Sequence, residues 1–350
     1  MSNRLRGAPQ TLRFPSQRRL VTGLGTVFRM NKPANGDLAI LARKPNPYGS
    51  TFPTEIVKCR LGRDRTTLSL FVKYGTKKFD SVHRHRGNVS YESKVYREVL
   101  HPLRASTPAF YGVYHDKIGQ IPWLVLEYLP RGTPASWSKD PRAMIRSAQW
   151  IGKFHAASEK LLPSPRPRFL RRYDADYYKG WAKRTKQLFS PFAGLQWIPA
   201  LCDQFESLIP RLVEAPQTII HGEYFGSNII YQNGMSRPAD WQSTAIAPGE
   251  IDLASLTHSW PTKVVRSCEQ EYRRSRWPSG TPNGFEKTLQ VARFYMNLRW
   301  LGDTTLMAPL LTGQKRPIIS KNLKKFINGL YEAGEKMGLL KGDLHHPALQ

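Results

Sequence analysis

Residues 221–228 read "HGEYFGSN", and the rest of the chain takes its meaning from them. Ile219-Ile220 precede this stretch and Ile229-Ile230 follow it, so a short polar loop is set between two apolar, β-prone runs. The loop carries a histidine, His221, a carboxylate, Glu223, and an amide, Asn228. Beyond it, "YQNGMSRP" holds an Asn-Gly pair that predicts a tight turn, and "RPADWQ" then brings Asp240 back on the returning arm of a hairpin.

Upstream, the pattern is mainly β. "LAILARK", "TEIVKCRL" and "LSLFVKYG" are short, β-rich and separated by turn-forming residues, and "IPWLVLEYL" reads as a further strand. One helix interrupts them: in "YESKVYREVLHPL", Val95, Tyr96, Val99, Leu100 and Leu103 recur at three- and four-residue steps. "PRGTPAS" is a turn-rich link. Past residue 140 the pattern is mostly helical, as in "AMIRSAQWIGKFHAASEK" and "GFEKTLQVARFYMNLRWLG". The expected organisation is a basic, flexible arm at 1–36, a β-rich lobe at 37–128 and a mainly helical lobe at 129–350.

The chain of 350 residues carries 53 Lys and Arg against 26 Asp and Glu, a net charge of +27. Such an excess attracts anionic ligands and repels cations. No apolar run reaches the roughly 18–20 residues needed to cross a bilayer. Cys59, Cys202 and Cys268 show no paired spacing, which predicts reduced thiols and a cytoplasmic location. The first 36 residues hold six arginines and no acid, a composition that a presequence for organelle import would share.

Phosphoryl transfer from a nucleotide needs a lysine on phosphate, a metal held by a carboxylate and an amide, and a carboxylate facing the acceptor hydroxyl. The sequence offers one of each. Glu223 sits in the loop, Asn228 and Asp240 supply amide and carboxylate for Mg²⁺, and Lys73 lies inside a strand, flanked by aromatic residues. Glu92 on the following helix is placed to pair with Lys73, although Glu98 shares that helix.

"HGEYFGSNIIY", followed by "PADWQ" and "IDLASL", resembles the aminoglycoside phosphotransferase and choline kinase-like family, in the branch with HGE in place of HGD. The resemblance covers roughly residues 37–330. It implies an α+β, two-lobed protein kinase-like fold: a small antiparallel N-lobe with one helix, and a larger, mainly helical C-lobe. It also implies ATP and Mg²⁺ as cofactors and an alcohol as phosphate acceptor. Under it His221 packs beneath the loop, Glu223 is the base, Asn228 and Asp240 hold metal, Lys73 holds phosphate, and Asp252 supports the loop. The backbone carbonyl of Glu127 and the N–H of Leu129 would hold adenine. The phosphate-covering loop departs from the family pattern: "PNPYGSTFP" has only Gly49, with the hydroxyls of Ser50 and Thr51. In the loop at 221–228, Gly226 is read as a flexible point and Phe225 as an anchor that set the longer glutamate at the right distance. "KGDLHHPA" near the end imitates the motif but lacks the histidine, the amide and the hairpin.

Two readings follow. One is a small-molecule kinase acting on a neutral or anionic hydroxylated acceptor; the other is a pseudokinase or basic binding protein of the same fold. The run "RPRFLRRYDADYYKGWAKRTK" at 166–186 interleaves eight basic residues with aromatics, which fits either a surface for RNA or an anionic substrate, or a solvated helix face. No nucleic-acid-binding signature accompanies the charge.

Overall fold

The computed structural model describes residues 14–28, 38–48, 50–62, 66–77, 79, 81–162, 167–303 and 321–340. The chain divides into two compact units. The first comprises residues up to Phe79 with Asn88–Arg97 and Pro108–Arg131; the second comprises Asp80–Gly87, Glu98–Thr107 and everything from Gly132. Two short segments, 80–87 and 98–107, thus belong to the helical unit although they lie within the β-rich stretch of sequence.

The first unit begins with helix α1 (Gln17–Val27), in the segment where the sequence predicts a flexible arm. The arginines dominate the composition there, but Leu20 and Leu24 are four apart and lie on one helix face. Both are fully buried against Val57, Val72, Trp123 and Val125 of the sheet. Burial on this scale stabilises by about 1.5–3 kcal/mol per side chain, enough to hold the helix down. The sheet is antiparallel, with strands β1 (Leu38–Pro45), β2 (Thr54–Leu61), β3 (Thr66–Tyr74), β4 (Phe110–Asp116) and β5 (Ile121–Glu127) in the order β1-β2-β3-β5-β4. Helix α2 (Val89–Val95) is capped by Asn88, whose side chain accepts from the Tyr91 N–H. A π-helical turn, Tyr96–Leu100, continues it.

The second unit is built on α3 (Ala143–Glu159), which follows the two-residue β6 (Thr133–Pro134). Next come β7 (Arg171–Arg172), α4 (Ala175–Phe189), α5 (Trp197–Phe205) and α6 (Ile209–Glu214). The motif region then contributes β8 (Gln217–Ile220), β9 (Ile229–Gln232), β10 (Met235–Pro238) and β11 (Ala245–Pro248). Helices α7 (Glu250–Thr257), α8 (Thr262–Arg276), α9 (Phe285–Leu301) and α10 (Lys321–Lys336) complete it. The predicted hairpin forms: Gln232 faces Met235, with Asn233 and Gly234 both at positive φ in the turn. No described helix is long and apolar enough to cross a membrane.

Candidate active site

The β9–β10 register pairs Ile229 with Pro238, which brings Asn228 opposite Ala239 and next to Asp240. The Ala239 N–H donates to the Asn228 carbonyl at 2.9 Å. Asn228 Nδ2 donates to the Glu223 carbonyl at 3.0 Å, which commits the nitrogen end of the amide to the loop. Asp240 sits in the left-handed region at φ 67°, unusual for a residue with a side chain, and is half-buried.

The loop itself is held from below. Asp252, fully buried at the start of α7, accepts the His221 N–H at 2.6 Å and the Gly222 N–H at 2.9 Å. His155 Nε2 reaches the same carboxylate at 3.2 Å, and its Nδ1 accepts from the Tyr272 hydroxyl at 2.9 Å. Burial lowers the His155 pKa, so the ring is neutral with the proton on Nε2. His221 bridges the two arms of the site: Nε2–H donates to the Ala239 carbonyl at 2.9 Å while Nδ1 accepts the Glu223 N–H at 3.3 Å. Gly222 has φ +85°, and a Cβ there would stand 2.2 Å from the Ser243 carbonyl oxygen, so only glycine fits.

Glu223 is where the structure departs most from the reading of the sequence. Its side chain, expected as an ordinary carboxylate facing the acceptor, is buried and fully engaged. Arg86 clasps it with two hydrogen bonds, Nη2 to Oε1 at 2.6 Å and Nε to Oε2 at 3.2 Å. Arg299 Nη1 donates to Oε1 at 3.3 Å, and His85 Nε2 stands 3.4 Å from the same oxygen. Asp303 is the second acid of the cluster, 3.2 Å from Arg86 and 3.8 Å from Arg299. Two guanidinium groups therefore face two carboxylates, with Trp300 beneath both arginines at 5.7 and 4.1 Å from its ring centroid. Burial alone would raise the Glu223 pKa; Arg86, the neighbouring His85 and Arg299 outweigh it and hold the carboxyl well below its usual range. Burial pushes His85 down to about 3, so it is neutral and its Nδ1 accepts from the Tyr177 hydroxyl at 2.7 Å.

Gly226 is not a flexible point. It is buried in a 3₁₀ turn, where a Cβ would come within 3.0 Å of Ser136 Cβ. Phe225 does anchor the loop, edge-on to Trp300 at 5.5 Å.

In the sheet unit, Lys73 on β3 is 3% exposed and its Nζ donates to Glu92 Oε2 at 2.7 Å. Its ammonium lies 5.6 Å from the Phe52 ring centroid. Glu98 is exposed, which settles the choice between the two glutamates in favour of Glu92. Glu127 ends β5, its Oε2 accepting the Ala109 N–H at 3.1 Å, and Leu129 is buried just beyond it. Ser50 and Thr51 are exposed between β1 and β2; Gly49 lies outside the described residues.

The phosphotransferase enzyme family model matches residues 84–280, a stretch that includes the loop, the hairpin and Asp252. The chain belongs to that family. As one of its members, it is an ATP-dependent phosphotransferase that acts on hydroxyl groups. Among solved structures, macrolide 2'-phosphotransferase MphH from Brachybacterium faecium is 14% identical with TM-score 0.54, covering 83% of this chain and 92% of that one. Choline kinase LicA from Streptococcus pneumoniae is 14% identical with TM-score 0.56, covering 86% and 94%. LicA in complex with AMP is 13% identical with TM-score 0.56, covering 91% and 100%. At such identities the likeness shows the fold, a protein kinase-like one with an antiparallel sheet and a helical region. No curated protein sequence matches significantly.

Several residues of this phosphotransferase have no motif to announce them. His85, Arg86, Arg299 and Asp303 come from segments more than two hundred residues apart, and a lone arginine among 53 basic residues carries no local signal. His155 reads as a half-apolar helix residue; the cue to its role is only that a buried histidine must find polar partners. The described part of the basic run, 167–186, resolves as α4 and its approach. Tyr173, Tyr178 and Trp181 are buried, whereas Arg172, Lys179, Lys183 and Lys186 are exposed, so these three aromatics serve the core.

Proposed function

We infer that this phosphotransferase moves the γ-phosphate of ATP to a hydroxyl of a neutral or anionic small molecule, with Glu223 as the carboxylate that receives the acceptor proton. The observation that carries the reading is the pair of hydrogen bonds from the His221 and Gly222 N–H groups to Asp252, because it fixes one loop bearing both Glu223 and Asn228. Phosphoryl transfer is mostly positioning and charge placement, which is what a rigid loop supplies. Lys73, oriented by Glu92, would take phosphate oxygens. The Glu127 carbonyl and Leu129 N–H would receive adenine, and the Ser50 and Thr51 hydroxyls would reach the phosphates.

Asn228 Oδ1 and Asp240 would hold Mg²⁺. Among the described residues no group of three His, Cys, Asp or Glu forms a metal cage. A single carboxylate with one amide nevertheless fits Mg²⁺, which takes few protein ligands and completes its octahedron with phosphate and water. When bound, the ion would neutralise phosphate charge.

The clasp on Glu223 bears on the acceptor. With both carboxylate oxygens already accepting from Arg86, an incoming hydroxyl reaches Glu223 either at a remaining lone pair or by displacing an Arg86 hydrogen bond. An anionic or neutral acceptor leaves the released guanidinium satisfied by the ligand or water, whereas a polycation would meet Arg86 and Arg299 head-on in a chain of net charge +27. The three cysteines are unpaired and buried, which supports a cytoplasmic setting. A screen for Mg²⁺-dependent ATP consumption across hydroxylated metabolites tests the reading. Turnover is expected with neutral or anionic acceptors, and tight, saturable phosphorylation of kanamycin-like polycations at physiological salt contradicts the acceptor assignment.

A further inference from the structure

A cavity of about 700 Å³ opens within the helical unit between the end of α7, α8, α9 and α10. Its volume lies in the range of small-molecule sites. It is distinct from the Glu223 cluster. Gln290, Arg293 and Asn297 line it from one side of α9, while Arg299, which belongs to the cluster, points to the opposite side at 100° per residue.

Three buried polar atoms without a hydrogen-bond partner lie on residues that line this one space: His258 Nε2, Gln290 Oε1 and Asn297 Oδ1. Buried polar atoms need partners, and on these three residues an occupant of the cavity could supply them. Asn297 is 3% exposed, and its Nδ2 is committed to the Arg293 carbonyl at 2.9 Å, which leaves Oδ1 as the unmet acceptor. Gly329 of α10 packs directly against that amide, since a Cβ there would stand 2.5 Å from Oδ1. His258 is held flat on Phe326, ring centroids 4.7 Å apart, so its Nε2 is presented in a fixed direction.

The charge of the wall says what else the occupant carries. Arg266, Arg293, Lys325 and Lys336 line the cavity against Glu269 and Glu332, an excess of two positive charges, and Glu269 is already paired with Arg293. We propose that this cavity is a second ligand site, for a small phosphorylated polyol whose hydroxyls pair with Asn297, Gln290 and His258 and whose anionic group meets the lysine and arginine rim. The proposal stands independently of the phosphotransfer reading.

The test is calorimetric titration with glucose 6-phosphate, without nucleotide, into the full chain. Saturable binding is expected, weaker for glucose alone, and unchanged in Glu223→Gln. The double variant His258→Phe/Gln290→Met keeps ring and chain length but removes two hydrogen-bonding partners, and should weaken binding about tenfold. Gly329→Ala, which puts a methyl beside Asn297 Oδ1, should do the same by a different route and serves if the double variant is unstable. If the cavity holds only water, the double variant stays as stable as the wild type or more so and the titration shows no saturable heat; that result overturns the proposal. So does binding that is lost in Glu223→Gln and kept in both cavity variants.

Discussion

Replacing Arg86 with methionine isolates the clasp on Glu223. Methionine keeps the length of the stem and removes the guanidinium that lies over Trp300, so two buried carboxylates, Glu223 and Asp303, lose their shared arginine while Arg299 remains, His85 being neutral. Breaking a buried pair from one side costs about 3–5 kcal/mol. The Arg86 side chain is 17% exposed, which places the expected loss toward the lower end. At about 2–4 °C per kcal/mol for a unit of this size, the melting transition should fall by roughly 6–15 °C at pH 7. The pH dependence has a definite sign. A carboxyl whose folded pKa lies below its unfolded value contributes stability above the unfolded pKa, near 4.3 for Glu, and loses it as pH falls through the folded pKa. Glu223 is of this kind and Arg86 is the largest cause of its depression, so the gap between wild type and variant should be widest at neutral pH and narrow below about pH 4. Thermal melts followed by circular dichroism from pH 7 to 3 measure both. A gap under about 2 °C at pH 7, or one that stays constant with pH, refutes the view that Arg86 carries the charge balance of this cluster.

Asp252→Asn should lower the melting temperature and cut kcat together, because an amide nitrogen cannot accept from both loop N–H groups and an orphaned buried donor costs about 1–3 kcal/mol; unchanged kcat by steady-state assay would detach the loop from its support. Gly222→Ala should be more damaging still, with a methyl carbon 2.2 Å from the Ser243 carbonyl oxygen, and soluble yield together with melting temperature will show it. Asp240→Asn should nearly abolish Mg²⁺-dependent turnover while Asp343→Asn, in the look-alike segment outside the described residues, leaves it intact; equal behaviour of the two would misplace the metal site.

The sequence shows plainly whatever is local. The loop at 221–228 is flanked by strands and followed by an Asn-Gly turn, so its register and the return of Asp240 toward Asn228 are written in adjacent residues. Lys73 and Glu92 are legible for a related reason, since a lysine inside an aromatic-rich strand needs a partner and the next helix offers one. Helix α1 was hidden by its neighbours' charge: composition averaged over 36 residues masks the spacing of Leu20 and Leu24. Strand β4 was missed because "FYGVYHD" has no clean alternation, its residues being mostly half-buried at a sheet edge. The clasp was illegible in principle, as it joins residues 85, 86, 223, 299 and 303 through tertiary packing with no spacing rule to connect them.

The central claim is that a glutamate in this loop receives the acceptor proton. Glu223→Gln keeps the shape and can keep one of the two hydrogen bonds from Arg86 while removing the base. Measured well below its melting temperature, on an acceptor that the wild type phosphorylates, kcat should fall by about 10²- to 10⁴-fold with nucleotide affinity little changed. A glutamine variant that turns over as fast as the wild type would contradict the account, and a wild type that binds MgATP but phosphorylates no acceptor would do so too.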